Sequence, residues 1–360
     1  MEALLGKTLA ELQDVALSAG LQKFAGKQLA EWLYVRRVTS FDQMTNISLK
    51  GREALKASYI VGRHAPVREA VSMDGTRKYL FVVGEQFVES VYIPEDDRAT
   101  LCISTQAGCK MGCRFCMTGT LGFHGHLTAA EILNQVFEID QMAVTNSLSS
   151  LSNLVLMGEG EPMDNIDHVL RALEILTAPY GCAWSPKRIT VSTVGVPAMK
   201  RFIEDSECHL AVSMHNPFPA ERAEIMPAEK LFSITEVVKL IKNYDWSHQR
   251  RVSFEYICWS GSGSQNPGNT VQNDTPRHAK ELIRLLRGLP CRINLIRFHE
   301  GVEEVATTNK ESRHFPASNE KQMEWLRDYL TANGITTTIR RSRGEDILAA
   351  CGMLVNSLTN

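Results

Sequence analysis

An α/β fold is predicted for this chain: an incomplete parallel barrel of six βα units, with a small helical N-terminal domain ahead of it. Three observations predict it. Beyond residue 95, short runs rich in Val, Ile and Leu alternate with amphipathic helical segments; several of those helices open on a recognisable start signal; and the first 65 residues carry helical spacing without strand alternation.

In residues 1–65, Thr8 and Glu11 are spaced as a capping box ahead of Leu9, Leu12 and Val15, and Gly20 supplies a stop. A second helix carries Leu29, Trp32 and Leu33, and a third covers Ser48 to Tyr59. Residues 66–94 change to period-two alternation on either side of Gly84, which predicts a hairpin-like β connector. Within a core spanning 95–345, the strand candidates are residues 101–105, 153–157, 188–193, 209–214, 251–257 and 291–296, with 336–340 as a further edge strand. Thr128 with Glu131 and Ser233 with Glu236 repeat the capping-box spacing, and Pro276 sits near another helix start. Residues 346–360 read as a C-terminal loop.

Chemistry in a βα barrel gathers at the carboxyl ends of its strands. The segments just past the six candidates are Cys109–Cys116, Gly158-Glu-Gly-Glu-Pro, Ser192-Thr-Val-Gly, Ser213-Met-His, Cys258-Trp-Ser-Gly and Arg297-Phe-His. All are polar, glycine-bearing or able to act as ligands, so one mouth is expected to collect them.

At 44% hydrophobic and 22% charged, the composition is that of a globular protein and excludes disordered and fibrous classes. No run approaches the roughly 18 to 20 apolar residues of a membrane span, and the opening MEALLGKTLAEL is acidic and amphipathic, unlike a secretory leader. A soluble, cytoplasmic protein, monomeric by default, is expected. The net charge of −2 gives no general affinity for polyanions, yet nine basic against six acidic residues leave residues 1–65 at +3, a hint of RNA contact that a solvated helical surface explains equally.

Nine cysteines without a leader argue against a disulfide framework. Cys182, Cys208, Cys258 and Cys291 are scattered through apolar segments and read as buried hydrophobes. Cys109-Lys-Met-Gly-Cys113-Arg-Phe-Cys116 is different: it is C-x3-C-x2-C, and a structural zinc site would need a fourth ligand, with only His124 and His126 near. Three thiolates on a four-iron cubane leave one iron open to a ligand.

That spacing is the signature of the radical S-adenosylmethionine (SAM) superfamily. The run VESVYIPEDDRATLCISTQAGCKMGCRFCMTGTLGF (88–123), followed by GEGEP, STVGVPAMK, SMH, INLI and RGEDILAACG, resembles the RlmN family of RNA adenine C2-methyltransferases, whose relative Cfr methylates C8. The resemblance covers about residues 85–352. It implies a radical SAM barrel, a 4Fe-4S cluster on Cys109, Cys113 and Cys116, and SAM as cofactor. It implies adenosines in 23S rRNA and in the tRNA anticodon loop as targets, the basic N-terminus as their grip, and a reductant such as flavodoxin.

In the family one SAM methylates a cysteine, and a second yields a radical that abstracts hydrogen from the new methyl. The carbon radical adds to the base, and a disulfide forms as the enzyme thiol leaves. By the resemblance Cys351 carries the methyl, Cys102 resolves the adduct and Glu89 accepts the proton of the base. Gly160 and Glu161 are expected at the SAM ammonium, Ser192 near its carboxylate or ribose, and Ser213, Met214 and His215 along the nucleoside. Each residue also has a plainer reading: Cys351 a buried cysteine, Cys102 strand core, Glu89 the exposed face of a strand. The chain departs from the pattern at His299, where Asn is usual, and in GEGEP, where GMGEP is more common.

Overall fold

The computed structural model of the protein describes residues 1–246, 252–261, 271–299 and 315–354. The chain opens with β1 (Glu2–Ala3), which pairs in parallel with β2 (Tyr59–Ile60) and so ties together the two ends of the helical N-terminal unit. Between them, the first helix, Leu9–Ser18, starts on a formed Thr8/Glu11 capping box, and Ser48 caps the helix Leu49–Ser58. The segment carrying Trp32 and Leu33 widens into a π-turn, Glu31–Val35, after the helix Ala25–Ala30. Much of this unit's positive charge is already paired: Arg37 with Asp140, Arg63 with Glu138 at 2.7 Å, and Lys56 with Asp42 at 2.6 Å.

Next come β3 (Arg68–Val71), β4 (Arg77–Val83) and β5 (Gln86–Pro94), all antiparallel. The expected hairpin is β4 and β5, but the segment is more than a connector. β5 pairs with β6 (Ala99–Cys102), and β6 pairs in parallel with β9 (Leu151–Leu156), so the hairpin extends the central sheet. β7 (Gln106–Gly108) and β8 (Phe123–His126) form a separate ribbon. Then β10 (Ile189–Thr193), β11 (His209–Ser213), β12 (Val252–Cys258), β13 (Cys291–Arg297) and β14 (Thr336–Ile339) follow in parallel, each beside the last. Among the described residues the resulting sheet has ten strands with β14 and β3 at its edges: an open, largely parallel sheet with an antiparallel extension.

Most strand boundaries shift by one to three residues from expectation. The first core strand ends at Cys102 rather than 105, because the Ser104 amide is taken by the Gln135 side chain at 2.9 Å and the Thr105 amide by the Glu159 carbonyl at 2.9 Å. The fifth candidate began at Arg251, which lies outside the described residues, as do residues 355–360 of the C-terminal loop. Thr128/Glu131 and Ser233/Glu236 both form capping boxes, and Pro276 stands in the first turn of its helix. The helix Ile234–Lys242 shows how the layers hold: Ile234, Val237, Val238 and Ile241 are all buried against the sheet, each burial stabilising the fold by about 1.5–3 kcal/mol. No helix among the described residues is long and apolar enough to cross a membrane.

Candidate active site

A cavity of about 640 Å³ opens at the carboxyl ends of the parallel strands, a size that suits a nucleoside-sized ligand. Apart from Glu89 and Met214, every candidate residue lines it. Cys102 enters from β6, Cys109, Cys113 and Cys116 from the loop between β7 and β8, and Gly160 and Glu161 from the loop after β9. Ser192 lies on β10, Ser213 and His215 at the end of β11, His299 after β13, and Cys351 on the C-terminal loop.

The backbone explains the cysteine loop. β7 and β8 flank it, the Cys109 N–H donates to the Gly122 carbonyl at 2.8 Å, and the Cys116 N–H donates to the Cys113 carbonyl at 3.1 Å. Gly108, at φ +70°, passes so close to β8 that a Cβ would stand 2.0 Å from the Gly122 oxygen, so only glycine keeps the ribbon closed. Burial raises all three thiol pKa values, that of Cys109 to about 12, so these thiols need a metal to become thiolates at neutral pH. All three line the cavity, and among the described residues no group of three or more His, Cys, Asp or Glu is arranged to hold a single metal ion.

Cys102 stands opposite Val91 in the β5–β6 ladder. The C-terminal loop packs Ile347, Ala349 and Leu354 onto Val91, Ile93 and Cys102. It is also tied to the cysteine triplet, since the Met117 N–H donates to the Gly352 carbonyl at 2.8 Å and the Thr118 hydroxyl to the Leu354 carbonyl at 3.1 Å. Both Cys102 and Cys351 are free thiols, with Cys351 open to the cavity. Burial raises Cys102 to about 12 and raises Cys351 too, while the Arg340 guanidinium opposes the shift at both.

Glu89 is 1% exposed, which rules out its reading as a solvated strand face. Alternation along β5 puts it on the face of Val91 and Ile93, one step deeper than the cavity wall they form. Its carboxylate pairs with Lys78 on β4 at 3.0 Å, and its amide donates to Glu159 at 2.8 Å. Met214 points away from the cavity: its side chain is sealed in the core, and its carbonyl accepts from Arg222 Nε at 2.9 Å.

Glu161 is buried, accepting the Val194 N–H at 2.8 Å and the Met163 N–H at 3.1 Å, and burial raises its pKa to about 7. Gly160, at φ +97°, lies where a Cβ would meet Gln106 at 2.5 Å. His215 accepts the Ile257 N–H on Nδ1 at 3.1 Å, and burial lowers its pKa to about 3, so it is neutral with Nε2–H as its donor. The Ser192 hydroxyl donates to the Leu156 carbonyl at 2.8 Å. His299 lies 2.6 Å from the Ser342 hydroxyl and 3.5 Å from Glu345, and burial lowers its pKa.

Sequence reasoning missed three features. Ser213, Glu255, Asn294 and Thr338 are register partners across β11 to β14. Thr338 donates to Asn294 at 2.8 Å and Asn294 to Glu255 Oε1 at 2.8 Å, while Glu255 Oε2 is buried without a hydrogen bond, 3.7 Å from Arg340. Arg222, 0% exposed, pairs with Glu229 and donates to the carbonyls of Val194 and Ser213, which stitches the ends of β10 and β11. The third is the Lys78–Glu89 pair. A polar residue inside an apolar strand run, as in Ser253-Phe-Glu-Tyr-Ile, was the available signal for Glu255.

Fold and cavity together define a radical SAM methyltransferase. The solved radical SAM methyltransferase from Sphaerobacter thermophilus matches with a TM-score of 0.87 at 34% identity, covering 99% of this chain and 100% of its own. Residues 3–61 match the model of the ribosomal RNA large subunit methyltransferase N-terminal domain. Proteins named probable dual-specificity RNA methyltransferase RlmN are 57% identical in Bacteroides thetaiotaomicron, over 98% of this chain and 95% of theirs, and 55% identical in Porphyromonas gingivalis, over 98% and 97%. The chain belongs to the RlmN family of RNA methyltransferases.

Proposed function

We propose that the protein methylates C2 of adenine in 23S rRNA and in the tRNA anticodon loop, through a methyl carried on Cys351 and at the expense of two SAM per turnover. The observation that carries the reading is one cavity lined by the triplet Cys109, Cys113 and Cys116 together with two further free thiols, Cys102 and Cys351. A glycyl-radical activase would need the triplet and neither of the others.

The donor set suits a four-iron cluster. A structural zinc closes with four ligands, whereas a cubane takes each of three thiolates on a different iron and leaves the fourth iron open. When bound, the cluster and SAM supply an electron, a carbon-centred radical and the methyl group, with a flavodoxin-type protein as the reductant. Glu161 pairs with the SAM ammonium, Gly160 admits close backbone approach, and Ser192, Ser213 and neutral His215 hold the remaining polar groups. His299 contributes a donor or acceptor from the far rim. Cys351 passes its methyl carbon to the base, Glu89 takes the proton from the base carbon, and Cys102 closes a disulfide with Cys351 to free the product. Arg340 favours the thiolate at both sulfurs.

The flat, electron-poor base must leave its stack to enter, at a cost of a few kcal/mol, least for loop nucleotides. C8 methylation uses the same residues. Nucleoside mass spectrometry of rRNA and tRNA after reaction with reconstituted protein is expected to give 2-methyladenosine in both; 8-methyladenosine alone would overturn the regiochemistry.

A further inference from the structure

Lys78 belongs to no cofactor site and is 8% exposed. Its Nζ lies 3.0 Å from Glu89 Oε1 and 3.4 Å from the carbonyl of Leu348, three residues before Cys351. The β3–β4 hairpin that carries Lys78 also holds the rest of that loop. Asp346 accepts from the Ser72 hydroxyl at 2.5 Å and the Met73 N–H at 3.1 Å, and the Gly344 N–H donates to Asp74 at 3.1 Å. Ala349 and Leu354 complete the contact by packing on Val91.

We propose that Lys78 is a positioning residue that couples the seating of the Cys351 loop to the Glu89 carboxylate, one buried ammonium holding both. The inference rests on the reading of Glu89 as proton acceptor and Cys351 as methyl carrier. An ammonium has three donors and no acceptor, and each donor buried without a partner is costly. Lifting the loop removes the Leu348 carbonyl and leaves one more donor unpartnered, so the ion pair favours the seated loop. Conversely, a seated loop fixes the ammonium in place against the Glu89 carboxylate.

The test uses protein isolated with Cys351 already methylated, verified by intact mass, in a single turnover on RNA. In Lys78→Met the rate of base methylation is expected to fall by about 10- to 100-fold, and in Lys78→Arg to stay near the wild-type rate. Hydrogen exchange in cofactor-free protein is expected to show faster exchange of residues 346–351 in Lys78→Met than in wild type or Lys78→Arg. A wild-type rate of base methylation in Lys78→Met, or exchange at the wild-type rate, would overturn the coupling. Full product release by Glu89→Gln would overturn the Glu89 reading instead, and leave exchange alone to decide whether Lys78 seats the loop.

Discussion

Acidification from pH 8 to pH 6 should weaken binding of S-adenosylhomocysteine about tenfold through one carboxylate. Burial holds Glu161 at about 7, above the ordinary 4.5, and only its ionised form pairs with an ammonium. The affinity relative to its alkaline limit falls by the factor 1 + 10^(pKa − pH), about 11 at pH 6 and about 1.1 at pH 8. The sign follows from the raised pKa: pairing requires the proton to leave, so affinity is full above 7 and declines below it. Titration calorimetry in two buffers of different ionisation heat reads both the dissociation constant and the proton released, which approaches one per site at pH 6. Glu161→Gln removes the charge-assisted bond, worth about 1.5–3 kcal/mol, and so binds about 10- to 150-fold more weakly at pH 8 with the slope abolished. A pH-independent dissociation constant in wild type, or a Gln variant that keeps the slope, would refute the assignment.

Three further outcomes follow from the same geometry. Cys351→Ala should abolish RNA methylation while SAM cleavage continues, as read by methyl transfer to RNA against 5′-deoxyadenosine release; methylation at the wild-type rate would remove the mechanism. Arg222→Met leaves Glu229 buried without its partner, and urea unfolding should show a loss of about 3–5 kcal/mol. Gly160→Ala forces a side chain into φ +97° and against Gln106. It should cost about 1–3 kcal/mol of stability, together with weaker S-adenosylhomocysteine binding, both measurable by thermal shift with and without ligand.

The barrel was legible because its signals are local. Capping boxes at Thr8, Thr128 and Ser233 satisfy amides within the same helical turn, and the apolar runs of β9 to β13 bury both faces whatever lies next to them. The cysteine triplet was legible for the same reason, its spacing being a property of eight consecutive residues. What remained hidden depends on partners distant in sequence. Glu89 alternates like a half-exposed strand residue, and only the seating of β5 between β4 and β6 buries it against Lys78. The β7–β8 ribbon is three and four residues a side, too short for a periodic signal, and is held by a glycine contact across the cysteine loop. Arg222 lies in a short helix, and its guanidinium closes on carbonyls at the ends of two different strands.

The central claim is that Cys109, Cys113 and Cys116 hold an iron–sulfur cubane with one iron open to SAM. Anaerobic iron, sulfide and zinc analysis of the purified protein tests it directly. About four irons and four sulfides per chain, lost together when the three cysteines are replaced by alanine, are predicted; stoichiometric zinc without sulfide would contradict the claim.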